Sequence, residues 1–198
     1  MEELLYTLQP VDHILQSYNL HQLEKRKKEF CITQLLLREL TDEPQEINKN
    51  KDGKPSLVKL PYKISISHAD VYSAVMLTEH KECGVDVEIV APRIKRVANK
   101  FVSEYENMYV TKTRKSSYYT IIWCVKEALY KWYAKKGLDF KQNMIIHPFT
   151  MQQSGGPVYF EFVKNGKSVT HIAQYRLFNR HIIAWVAAKS FDEIAVEK

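Results

Sequence analysis

Apolar residues recur at three- and four-residue spacings through Ser116–Lys136, SSYYTIIWCVKEALYKWYAKK, where Ile121, Ile122, Val125, Leu129 and Trp132 fall on one side. Neither Gly nor Pro interrupts them, so the spacing predicts a helix with one buried face. A second helical region is predicted over residues 11–40, from Ile14, Leu15, Tyr18, Leu20 and Leu23 into Phe30, Ile32, Leu35, Leu36, Leu37 and Leu40. The stretch TDEPQEINKNKDGKPS then stops the pattern with Pro44, Gly53 and Pro55. Farther on, Pro92 opens a shorter helix with Ile94, Val97, Ala98 and Phe101 at helical spacing, and Ser103-Glu104 reads as the cap of another. Gly137 marks the expected end of the long helix.

Elsewhere the period drops to two. Ile64 and Ile66 alternate with Ser65 and Ser67 as in a half-buried strand; His68 and Asp70 occupy a turn, and Val71 to Thr78 reads as the next strand. Residues 83–90, CGVDVEIV, look like a buried strand through Gly84, Val85, Val87 and Ile89. Three more strands are expected at Val158–Val163, His171–Phe178 and His181–Ala188, the first two joined by an Asn165-Gly166 hairpin turn. Ser154-Gly155-Gly156 is a turn and not a phosphate cradle, because no Gly-Lys-Ser and helix follow it; Pro157 marks the strand entry. With no low-complexity tract and no long linker, the pattern describes one compact α+β unit.

Composition narrows the class. A chain of 198 residues, 45% hydrophobic and 26% charged, suits a soluble protein with one generous core or two small fused halves. No run approaches the roughly 18 apolar residues of a membrane span. The opening MEELLYTLQP is acidic where a secretory signal is basic, so a cytoplasmic location is expected. Cys31, Cys83 and Cys124 are distant from one another and odd in number, which fits reduced thiols and not a disulfide framework or a zinc site. A net charge of +6 favours an anionic partner, whether nucleic acid, phosphorylated cofactor or acidic protein, although a lysine-rich surface also serves solubility alone. The 12 tyrosines are scattered and not interleaved with the basic clusters, which argues against a nucleic-acid binder.

Candidate chemistry centres on residues 83–90. Asp86 and Glu88 stand two apart in a strand, so both carboxylates leave by one face, roughly 7 Å apart, and repel without a cation between them. Two readings fit: oxygen ligands for a hard divalent ion such as Mg²⁺, or the outward positions of an exposed edge strand. Glu127 and Lys131 lie four apart on the long helix, as in a solvated pair worth about 0.2–0.5 kcal/mol. The densest basic cluster is Glu24-Lys25-Arg26-Lys27-Lys28-Glu29, a solvated helix face unless an anion meets it. Lys54, between Gly53 and Pro55, suits a phosphate contact, and His68 at a strand end suits a phosphate or a metal-bound group.

The order GKP, SISH, GVDVE, FVSE, WCVKEALYK, taken over residues 25–140, resembles the 4′-phosphopantetheinyl transferase family in its monomeric type, whose chain holds two similar halves. The resemblance implies an α+β fold of two similar α/β halves, about 1–90 and 91–198, in a pseudo-twofold arrangement with the active site in the cleft between them. It implies transfer of the phosphopantetheine arm of coenzyme A to a serine of an acidic acyl or peptidyl carrier protein, with release of adenosine 3′,5′-bisphosphate. Asp86, Glu88 and Glu127 match an acidic triad around Mg²⁺, with Mn²⁺ an alternative; Glu127 doubles as base, and Lys131 contacts the cofactor phosphates. Lys54 and His68 match positions near the nucleotide, and Lys27 and Lys28 fall where the 3′-phosphate is bound. Gln34 departs from the pattern, standing where many relatives carry arginine. A relative that binds coenzyme A without transferring it is the competing reading.

Overall fold

The computed structural model of the protein describes residues 4–10, 23–69 and 72–196. Two five-stranded antiparallel sheets carry it. The first contains β1 (Leu4–Pro10), β2 (Ile47–Lys49), β3 (Pro55–Leu57), β4 (Lys63–Ala69) and β5 (Tyr72–Thr78), ordered β1-β5-β4-β3-β2. The second contains β6 (Glu82–Ile89), β7 (Met144–Ile146), β8 (Gly156–Lys164), β9 (Lys167–Phe178) and β10 (His181–Ala188), ordered β6-β10-β9-β8-β7. In each sheet the earliest strand pairs with the latest, and the long helix lies between the first and second strands: α1 (Lys25–Thr41) in one, and in the other α4 (Lys115–Tyr133), preceded by α2 (Ile94–Val97) and α3 (Glu104–Tyr109). A short α5 (Phe191–Ile194) follows β10. The expected α+β class is therefore observed, but the sheets divide the chain between Thr78 and Glu82 and not near residue 90. The reason is that β6 pairs along its length with β10, from Glu82 opposite Ala188 to Ile89 opposite His181.

Packing follows the periodicity. Ile121, Ile122, Val125, Leu129 and Trp132 of α4 are buried against Val158, Phe160, Phe162 and Ala184 of the second sheet, and Trp132 meets Phe162 edge to face at 5.4 Å. On the first sheet, Ile32, Leu36 and Leu37 of α1 cover Ile64, Val75 and Leu77. A third cluster joins the sheets: Tyr72, Ala74 and Met76 pack on Cys83, Val85, Val87 and Ile183. Both faces of the first sheet are thus covered. Ser65 and Ser67, which the alternation suggested would face water, are only 2% and 6% exposed.

A buried ion pair fixes the second half of the molecule. Ser103 caps α3 in a reciprocal box with Glu106, whose carboxylate also accepts the Ile146 N–H at 2.9 Å. Lys126 of α4 meets that carboxylate at 2.7 Å and donates to the carbonyls of Phe101 at 2.7 Å and Phe140 at 2.8 Å. Burial pulls the Lys126 pKa down to about 8 against the opposing pull of Glu106.

Several expectations shift. Helix α1 starts at Lys25; Ile14, Leu15, Tyr18 and Leu20 of the expected longer helix, and Asp70 of the expected turn, lie outside the described residues. Gly137 does not end the long helix. Ala134 does, in the left-handed conformation (φ 56°), its N–H donating to the Tyr130 carbonyl at 2.9 Å. Asn165 (φ 52°) and Gly166 (φ 72°) form the expected hairpin turn. Cys31, Cys83 and Cys124 are free thiols. Among the described residues no helix is long and apolar enough to cross a membrane.

Candidate active site

Strand β6 lies at the border of the second sheet, so one of its edges has no strand partner there and its backbone groups need other company. Side chains supply it. Val85 N–H donates to Ser65 Oγ at 2.9 Å and Val87 N–H to Ser67 Oγ at 3.3 Å. The Val85 carbonyl accepts from Lys131 Nζ at 2.8 Å, and Ile89 N–H donates to the Glu88 carboxylate at 2.9 Å. Four of the residues singled out by SISH, GVDVE and WCVKEALYK therefore close this edge. The strand can approach α4 this closely because residue 84 is glycine: a Cβ there would stand 1.8 Å from the Ala128 carbonyl oxygen.

That approach places Asp86, 7% exposed, against the end of α4. Asp86 Oδ1 accepts from Lys131 Nζ and from Ser67 Oγ, both at 2.8 Å. Lys131 thus reaches across to β6 and is not half of an intrahelical pair with Glu127. Glu127 itself is half-buried, and burial together with the charge of Asp86 pushes its carboxyl up to about 7 despite Lys131. Glu88 is turned to Arg93 at 3.2 Å. Burial, then the charges of Asp86 and Glu88, raise the Cys124 thiol of α4 well above its ordinary value. No three of His, Cys, Asp and Glu among the described residues are grouped closely enough to hold a metal ion.

Beside this cluster a cavity of about 840 Å³ opens between α1, the β2–β3 turn, β4 and the end of α4. It is the size of a small-molecule site. Its walls carry Arg26, Lys49, Lys54, Lys131 and Lys135 against Glu29 and Asp52. Lys25, Arg26, Lys27 and Lys28 stand in the first turn of α1 with no acidic residue among them, adding their charge to the positive end of the helix dipole. Such an arrangement is costly unless an anion answers it.

The basic candidates separate here. Arg26 lines the cavity, whereas Lys27 is exposed and neither it nor Lys28 is part of the wall. Lys54 lines it but is held by Glu82, which also takes Lys63 at 3.2 Å. His68 lines it too, its Nδ1 paired with Ser73 Oγ at 2.8 Å and Nε2 facing Thr33 Oγ1 at 3.4 Å. Thr33 spends its proton on the Glu29 carbonyl at 2.8 Å, which makes Nε2 the donor toward Thr33 Oγ1. Burial, reinforced by Lys131, Lys25 and Lys49 and opposed by Glu29, holds this imidazole below its ordinary value. Gln34 is not in the wall; its side-chain amide donates to the Gln45 carbonyl at 2.8 Å and accepts the Gln45 N–H at 3.2 Å.

Sequence reasoning did not single out Arg26 or Lys49 as individual site residues. Arg26 was hidden inside its cluster, and only its spacing from Phe30 and Thr33, which share its helix face, could have separated it from Lys27. No curated protein matches the chain. A family model does match, that of the 4′-phosphopantetheinyl transferase superfamily, over residues 82–186. The match begins with β6, takes in Asp86, Glu127 and Lys131, and ends within β10. It spans more than half of the chain, and the protein belongs to this superfamily.

Proposed function

We propose that the protein transfers the 4′-phosphopantetheine arm of coenzyme A to a serine of an acidic acyl or peptidyl carrier protein. The observation that carries this reading is the juxtaposition of Asp86, Glu127 and Lys131, which lie in the segment matched by the family, with a basic cavity of about 840 Å³. Coenzyme A occupies the cavity, its phosphates answering Arg26, Lys49 and Lys54. Lys54 exchanges Glu82 for phosphate on binding. The identical strand order of the two sheets supports the reading of two similar halves, and a chain carrying both can act as a monomer.

The donor chemistry, three carboxylates, is the kind a hard divalent cation takes, but Asp86, Glu88 and Glu127 are not gathered around one point as they stand. Burial, and after it the charge of Asp86, raises the Glu127 carboxyl, which a bound cation would offset. Asp86, Glu88 and Glu127 would hold Mg²⁺ or Mn²⁺, with Glu88 released from Arg93. When bound, the ion supplies Lewis-acid stabilisation of the diphosphate. In the transfer, the carrier serine oxygen attacks the phosphorus bearing the pantetheine arm, and the bond from that phosphorus to the bridging oxygen breaks. The electron pair leaves with adenosine 3′,5′-bisphosphate. Lys131 stabilises charge on the phosphate oxygens, and Glu127 takes the serine proton. The net charge of +6 speeds encounter with an acidic carrier.

The test is intact-mass analysis of acidic apo carrier proteins incubated with the protein, coenzyme A and Mg²⁺. One added phosphopantetheine is expected, and Glu127→Ala should abolish it. No mass gain across several acidic carriers would overturn the proposal.

A further inference from the structure

Lys54 is a cavity-wall cation that already has an anion. Its backbone is clamped by the turn before β3: Asn50 Oδ1 accepts the Asp52 and Lys54 N–H groups, both at 2.9 Å, and the Asn50 N–H donates to the Lys54 carbonyl at 3.0 Å. Only the side chain is therefore free to change partners. Its ammonium pairs with Glu82 at the start of β6, a carboxylate that belongs to the other sheet and is not part of the cavity wall. Glu82 holds a second cation, Lys63 of β4, at 3.2 Å. One carboxylate thus serves two ammonium groups, and it keeps a partner when either leaves.

Lys135 provides an internal comparison. It too lines the cavity, and it too is paired, with Asp192 of α5 at 2.6 Å. The two pairs differ in their contact with water. The Lys135 and Asp192 side chains are 55% and 70% exposed, whereas those of Lys54 and Glu82 are 18% and 20% exposed. Solvent and salt screen the first pair to little net worth, while the second is held at a lower effective dielectric.

We propose that Glu82 is a built-in competitor for Lys54, an internal anion that a phosphate of the ligand must displace, and that it thereby sets the affinity of the cavity. The inference rests on the transfer function proposed above and adds to it a residue that lowers affinity for coenzyme A instead of raising it. Lys63 is what lets the exchange proceed: because it stays with Glu82 when Lys54 leaves, no carboxylate is stranded.

Coenzyme A is titrated into the full-length protein in a calorimeter at physiological ionic strength. Glu82→Gln should bind about fivefold more tightly than wild type although it is less stable to denaturant. A merely structural carboxylate would lower both on replacement. Asp192→Asn raises the net charge by the same amount and frees the other paired lysine of the wall, and it should change the affinity by less than about twofold, since that pair is exposed. Lys63→Met leaves Glu82 with Lys54 alone. It should weaken binding about threefold in the wild-type background and leave it unchanged in Glu82→Gln. Unchanged or weaker binding in Glu82→Gln overturns this inference alone, and so does an equal gain in Asp192→Asn, because charge as such would then be the cause. A Lys63→Met loss that persists once Glu82 is replaced overturns it too. Wild-type protein that neither binds coenzyme A nor modifies a carrier overturns the inference and the transfer function together.

Discussion

Gly84 and Ala128 meet backbone to backbone: a Cβ on Gly84 would stand 1.8 Å from the Ala128 carbonyl oxygen and 2.8 Å from its carbonyl carbon. This contact sets the distance between β6 and α4, and hence between Asp86 and Lys131.

Gly84→Ala should therefore separate the two elements. The atoms in the way are main chain, so no side chain can yield, and overpacking of this kind costs about 3 kcal/mol. Urea denaturation should show a lower midpoint, and coenzyme A binding should fall even where the variant is fully folded. A midpoint equal to that of wild type would contradict the contact.

Lys126 and Glu106 are both fully buried, so the pair responds unequally to single and double replacement. Lys126→Met leaves the Glu106 charge without its partner, which should cost about 3–5 kcal/mol. Adding Glu106→Gln removes that stranded charge and keeps an acceptor oxygen for one of the two N–H groups of Ser103 and Ile146, and should recover part of the loss. Stability of the two variants by chemical denaturation checks the order; a double variant weaker than Lys126→Met would refute it.

The contrast between these residues shows where the sequence was readable. The period of α4 placed Ile121, Ile122, Val125, Leu129 and Trp132 correctly, because one apolar face is a local property of the chain. Asp86 and Glu88 stood out because carboxylates in a strand conflict with its local preference. Lys126 was not legible: its partners at Glu106, Phe101 and Phe140 are far along the chain, and a lysine in a helix gives no local sign of burial. Ser65 and Ser67 looked solvent-facing because nothing in their own alternation reveals that β6 and β10 cover the second face of the first sheet. Lys27 and Arg26 are chemically interchangeable in a run of cations; only the turn of α1 decides which of them meets the cavity.

Glu82 gives a pH dependence with a definite sign. Burial alone would raise its carboxyl, but the hydrogen bond and charge of Lys54, with Lys63, outweigh it and hold the group below 4.5. A depressed folded-state value means stability that is fully present above about 4.5, the unfolded value, and is lost as pH falls through the folded value. Glu82→Gln should lower stability at pH 7 by about 1 kcal/mol or less, as the carboxylate is partly solvated. The gap between variant and wild type should be smaller at an acid pH below 4.5, shrinking as pH falls through the folded value. Denaturation midpoints at both pH values test this, and a gap that widens in acid would reverse the sign.

Arg26 and Lys27 allow the sharpest separation between charge as such and charge in place. Both are exposed cations in the first turn of α1, so either substitution lowers the net charge equally and weakens the dipole-end potential alike. Only Arg26 lines the cavity. A charge-assisted hydrogen bond to a ligand phosphate is worth about 1.5–3 kcal/mol, so Arg26→Ala should weaken coenzyme A binding by roughly 10–100-fold. Lys27→Ala should change it by less than about threefold, since a screened charge outside the wall contributes only long-range attraction. Calorimetric titration of coenzyme A at two salt concentrations distinguishes the cases: the Lys27 effect should vanish at high salt and most of the Arg26 effect should persist. Equal losses in the two variants would mean that the basic turn acts as a diffuse field and not through a specific contact.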